Sequence, residues 1–284
     1  MFEALRDRIF VTLLYLLPHH LLSRIVLRLT RVRAWWFKDA LIGPFVERFA
    51  PDMSDAERPD PHSYSSFNSF FTRPLRAGAR PLPEDPRVIV SPVDAAISQA
   101  GPIHAGRVLQ AKGHDYSLTA LMGGDPERAA PFMDGWFATL YLAPRDYHRI
   151  HMPMDGTLTG MVYVPGRLYS VNEASAELVP ALFARNERLV CTFQGEHPFA
   201  VVMVGALFVG CMETVWAGQV TPRRQQPAVW HYLSGVSLDR GAELGRFNMG
   251  STVILIMPPD ACEPVADLDP GRRFRMGETL ARLR

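Results

Sequence analysis

Hydrophobic and polar positions along this chain change rhythm twice. Residues 9–17 are apolar, but Pro18-His19-His20 halts the run well short of the ~20 residues that cross a bilayer. Beyond the proline, Leu21, Leu22, Ile25, Val26 and Leu29 fall on one helical face, while Arg24, Arg28 and Arg31 form a polar stripe. That spacing predicts a basic amphipathic helix. Trp35-Trp36-Phe37-Lys38 follows, and aromatic and cationic side chains in this order suit the surface of an anionic membrane. The alternative is that the helix packs on the chain's own core or on a second subunit. Residues 51–86 are rich in Pro, Asp and Ser and read as a connector with one short helix at 66–71, where Phe67, Phe70 and Phe71 share a face. After residue 87, short β-type runs recur at 88–90, 136–142, 157–164, 189–193, 201–209, 213–216 and 253–257, separated by glycine and proline. Residues 174–186 read as a helical insertion. The pattern predicts an α+β chain with amphipathic helices over 1–50, the connector over 51–86, and a mainly antiparallel β core over 87–284.

Composition narrows the chemistry. The 284 residues suffice for one large or two small domains, and 48% hydrophobic with 21% charged residues is a globular mixture. A net charge of +1 gives no global reason to expect nucleic acid. No small-residue cleavage site follows the first apolar run, and Glu3 and Asp7 weaken a positive start, so no secretory signal is read. Lys38 and Lys112 are the only lysines. A pyridoxal-phosphate enzyme must hold its cofactor through a lysine, yet Lys38 sits in the arginine-rich amphipathic region, and Lys112 lacks a flanking phosphate-binding glycine loop. Cys191, Cys211 and Cys262 are odd in number and without metal-type spacing, which predicts buried thiols in a reducing compartment.

Three segments carry residue types of an activated nucleophile: Gly250-Ser251-Thr252, Ser91-Pro92-Val93-Asp94, and Arg145-Asp146-Tyr147-His148-Arg149-Ile150-His151-Met152-Pro153. Serine needs a base to accept its proton, and a carboxylate can orient that base. Read alone, each segment has a plain alternative: a small-residue turn, a turn aspartate after Pro92, and a polar histidine before a Met-Pro turn. His148 and His151 would face opposite ways on a strand and share a site on a turn; no third metal ligand is evident beside them, so no metal is expected. Arg145 and Arg149 suit either an anionic substrate group or a structural role. A hydrolase of Asp-His-Ser type would use the same residues, although Gly250-Ser251-Thr252 is not a Gly-x-Ser-x-Gly elbow. A non-catalytic, membrane-associated β domain is the other alternative.

Taken together, these segments resemble the phosphatidylserine decarboxylase family, the pyruvoyl-dependent enzymes that make phosphatidylethanolamine. The resemblance extends through Ser66-Phe67-Asn68-Ser69-Phe70-Phe71-Thr72-Arg73-Pro74-Leu75, Leu109-Gln110-Ala111-Lys112-Gly113, the block 141–151, Leu182-Phe183-Ala184-Arg185-Asn186-Glu187-Arg188 and Glu213-Thr214-Val215-Trp216-Ala217-Gly218. It implies that the chain cuts itself between Gly250 and Ser251 into a large piece, 1–250, and a small one, 251–284. Ser251 would become a covalent pyruvoyl cofactor that forms a Schiff base with phosphatidylserine. Asp94, His151 and Ser251 would form the charge relay for the cut, and His148 would transfer a proton in decarboxylation. The two pieces would remain together as a heterodimer, with further dimerisation open. The resemblance and the arginine-rich N-terminus together imply a peripheral protein on the cytoplasmic face of the cell membrane. Two positions depart from the family pattern. Met249 replaces a leucine, an exchange apolar packing tolerates, and Ala95 replaces a glycine, which would strain the chain if that position needed positive φ.

Overall fold

A computed structural model describes residues 6, 8, 11, 12, 14–111, 113–208, 211–223, 225–250 and 252–284. Ser251 and Lys112, two positions singled out above, lie outside the described residues.

The amphipathic segment forms a helix, His19–Thr30. Its burial is the reverse of a core-packed helix, because His19, Ser23, Leu27 and Thr30 face inward while Leu21, Ile25 and Leu29 are exposed. A second helix, Trp35–Phe49, begins with Trp35 and Trp36 exposed. Its buried Lys38 donates to the His62 carbonyl at 2.7 Å and to Asp39 at 2.6 Å, so this lysine is a structural tie. Among the described residues no helix is long and apolar enough to cross a membrane.

The expected short helix is present as Phe67–Phe71. Ser66 and Ser69 form a reciprocal cap, each hydroxyl accepting the other residue's backbone N–H, which satisfies donors the first turn leaves free. Phe67, Phe70 and Phe71 bury against Ile42, Tyr64, Phe45 and Val46, forming a small aromatic core beside the main one.

The β core is antiparallel at each of its described strand pairs. The largest sheet runs Ala228–His231, Gly156–Val164, Arg188–Gln194, Pro198–Val204, Thr252–Met257, Trp136–Tyr141, Ala95–Pro102 and Arg273–Phe274. Thr252–Met257 is buried along its whole length and pairs on both sides, with Thr252 opposite Tyr141 and Val204. A smaller sheet orders Gly218–Gln219, Met212–Thr214, Glu243–Phe247 and Arg149–His151. The chain therefore leaves one sheet at Phe247 and enters another at Thr252, so Asn248, Met249 and Gly250 fall in the crossover.

The helical insertion differs in continuity. Two short helices, Glu173–Leu178 and Leu182–Arg185, replace one, because Pro180 cannot donate to a continuing helix and Ala181 takes a left-handed φ of 52°. The run expected at 201–209 is the strand Pro198–Val204. Cys191, Cys211 and Cys262 are free and buried.

Candidate active site

His148 lies in the loop that follows Trp136–Tyr141 and is fully buried. Its Nδ1 donates to the Asp146 carbonyl at 2.7 Å, which leaves Nε2 with the lone pair and without a partner among the described residues. Burial lowers its pKa to about 3, so the ring is neutral at physiological pH. Phe71 packs on it at a centroid distance of 4.1 Å. The bare nitrogen faces the backbone of Gly250: a Cβ at that position would stand 2.7 Å from Nε2. Only glycine fits. Thr252 on the far side carries a second buried atom without a partner among the described residues, Oγ1.

His151 is placed differently. It ends the strand Arg149–His151, its Nδ1 faces the Gly241 carbonyl at 2.7 Å, and its Nε2 faces the Tyr147 hydroxyl at 2.9 Å. Both nitrogens are therefore engaged. Burial lowers its pKa, and the Gly241 carbonyl opposes that shift. Asp94 makes no hydrogen bond to it; Asp94 accepts from Arg80 at 2.7 Å and from the Met276 amide at 2.7 Å. Ala95 lies in a strand, paired with Phe274, and is not among the residues with positive φ. The glycine usual in the family is not needed to place Asp94.

Two cavities flank the His148 loop. One of about 330 Å³ is apolar, lined by Phe45, Phe49, Phe71, Leu142, Met249 and Gly250 among others. The other, also about 330 Å³, is polar and is lined by Arg73, Asp94, Arg145, Asp146 and Tyr147 among others. Asp146 closes its own loop by accepting the Ala143 amide at 2.8 Å and pairing with Arg273. Arg149 is committed to Glu243 at 2.7 Å and to the Thr72 carbonyl at 2.9 Å, a structural role. Arg145 lines the polar cavity.

The chain is similar to known proteins over nearly its whole length. The family model for phosphatidylserine decarboxylase matches residues 67–282, and a model described as PSD matches 9–50. The chain belongs to the phosphatidylserine decarboxylase family. It is 54% identical over 283 residues to the phosphatidylserine decarboxylase proenzyme of Pseudomonas aeruginosa (strain LESB58), with 98% of each chain covered. The protein of the same name from Pseudomonas entomophila (strain L48) is 53% identical over 282 residues, again at 98% of each. That from Ectopseudomonas mendocina (strain ymp) is 53% identical over 281, covering 97% of this chain and 98% of the relative.

Within this family member, sequence reading located the segments but missed their supports. Phe71, Tyr147 and Asn68 all lay inside blocks of resemblance, yet nothing in periodicity joined them to His148, His151 and the 248–250 segment. The available signal was the unusual density of aromatic residues before Arg73.

Proposed function

We propose that this chain is a self-processing phosphatidylserine decarboxylase, which converts phosphatidylserine to phosphatidylethanolamine and CO2 in phospholipid synthesis. The observation that carries the reading is the bare Nε2 of His148 against Gly250, next to the serine that would be transformed. In the cut, the Ser251 hydroxyl attacks the Gly250 carbonyl, the C–N bond yields to an ester, and the proton passes to a neighbouring base. Elimination removes the Ser251 Cα proton and releases the Gly250 carboxylate, and water then displaces ammonia to leave a pyruvoyl group on residue 251. Gly250 tolerates the close approach because it has no Cβ.

The residues around position 251 fit such a group: an imidazole nitrogen and a Thr252 hydroxyl that have no partner among the described residues, and a space that any side chain on Gly250 would fill. A pyruvoyl group there would supply the electron sink for loss of the substrate carboxylate. His148 holds a neutral ring suited to moving a proton at that position. The apolar cavity beside Gly250 suits the hydrocarbon part of a phospholipid.

Asp94 and His151 are proposed for the cut on the family resemblance, and the Tyr147 hydroxyl is the contact through which His151 would act. A second reading is favoured by geometry: His148, the ring nearest Gly250, also takes the serine proton. The two separate cleanly. Cutting retained in His148→Ala and lost in His151→Ala supports the relay, whereas the reverse assigns the cut to His148.

Exposed Leu21, Ile25, Leu29, Trp35 and Trp36 beside Arg24 and Arg28 support a peripheral position on an anionic membrane, and the arginine-rich N-terminal segment supports its cytoplasmic face. The small piece, 251–284, would stay joined to the large one as a heterodimer, because Thr252–Met257 is buried mid-sheet. Intact mass under denaturing conditions tests the central proposal. Two chains are expected, the small one starting at residue 251 and lighter by one ammonia than a serine-ended fragment. A single full-length mass from chain that folds and meets substrate would sink it.

A further inference from the structure

One short helix holds both ends of the contact between His148 and Gly250. Phe67–Phe71 presses Phe71 against the His148 ring. From the same helix, Asn68 Nδ2 donates to Asn248 Oδ1 at 2.8 Å across 180 residues of sequence. Asn248 is buried. Its backbone N–H donates to the Cys211 carbonyl at 2.9 Å, and its side-chain Nδ2 reaches the Cys211 sulfur at 3.0 Å. Residue 248 is thus fixed by side chain and backbone two positions before the bond to be cut, and Thr252 is fixed two positions after Gly250 by the ladders of the large sheet. Between the anchors, Met249 has φ of +154°, a region that side chains other than glycine rarely occupy. Met249 packs against both the main core and the aromatic core, so it cannot turn over freely.

We infer that Asn68 is a positioning residue for self-cleavage: through Asn248 it pins the start of the crossover and holds Gly250 against His148. The inference rests on the proposed cut at Gly250–Ser251. Asn68 touches no reacting atom; it sets where the reacting peptide stands, and misplacement by about 1 Å is enough to slow a reaction about a hundredfold.

The test compares full-length chains carrying Asn68→Ala, Asn248→Ala and both, following conversion of precursor to two pieces by denaturing electrophoresis. Thermal midpoints are measured alongside. Phe67→Leu, on the same helix but in ring contact with neither His148 nor Asn248, serves as a control for lost stability. Asn68→Ala should lengthen the precursor half-life about tenfold or more, and the double variant should cut no more slowly than the slower single, because the pair acts as one unit. The Phe67→Leu chain should cut at the parent's rate. Cutting of Asn68→Ala within twofold of the parent overturns the inference, as does equal slowing in a Phe67→Leu chain of matched midpoint, or multiplicative slowing in the double variant. A parent chain that never cuts overturns the reading of the cut itself, and the inference falls with it.

Discussion

His148 and His151 stand three residues apart in one segment and occupy opposite chemical settings. The first is fully buried, engaged at one nitrogen only, and presents the other to a glycine backbone. The second is partly exposed and engaged at both nitrogens, by a carbonyl and a phenol. A buried lone pair with no partner among the described residues is available for proton transfer, whereas one already accepting a hydrogen bond must first give it up. Sequence spacing left open whether the two share a site; burial separates their settings.

The comparison can be broken most severely at Gly250. Gly250→Ala places a methyl group 2.7 Å from His148 Nε2 and should slow cutting about a hundredfold or more, seen as persistent full-length precursor; cutting at the parent's rate would show that His148 does not crowd the bond. Next, Phe71→Ala removes the ring that covers His148 and should cost about 3 to 5 kcal/mol in denaturant unfolding, as expected for a large buried side chain. A smaller effect would mean the aromatic core repacks around the ring.

Acid should expose the same contrast. His148 has a folded pKa of about 3 against 6.5 unfolded, so below pH 6.5 the unfolded chain takes up a proton that the folded one refuses. Its contribution is complete above pH 6.5 and is lost as pH falls toward 3, by about 1.4 kcal/mol per pH unit. Replacing it, as in His148→Asn, should flatten the fall of stability with acid in unfolding measured across pH 6.5 to 4; an unchanged slope would place the acid-sensitive group elsewhere. Tyr147→Phe, which frees His151 Nε2, should lower stability by about 1 kcal/mol while the ring of His148 keeps its contacts. The smallest effect is expected from Ala95→Gly, less than about 1 kcal/mol in the destabilising direction, since alanine already occupies an ordinary strand conformation there.

The parts of the molecule governed by local chemistry were legible in the chain. The phenylalanine spacing of Phe67–Phe71 announced that helix, and β-type runs divided by glycine and proline announced the antiparallel core. The insertion was legible as helical, but its division on either side of Pro180 was not. The amphipathic stripe on His19–Thr30 was legible too, but which face turns inward was not: its buried residues include His19, Ser23 and Thr30, polar types that pattern assigns to solvent. At the site, the motif residues were visible, while the Asn68–Asn248 bond and the Phe71 contact with His148 join positions far apart in sequence, and no periodicity records such pairs.

One further property follows from the middle-of-sheet place of Thr252–Met257. Chain ends usually fray, because their backbone groups have neighbours on few sides. An end created at residue 251 would adjoin a strand already laced to Trp136–Tyr141 and Pro198–Val204. The protein would thereby acquire a terminus whose next six residues have the stillness of an interior segment.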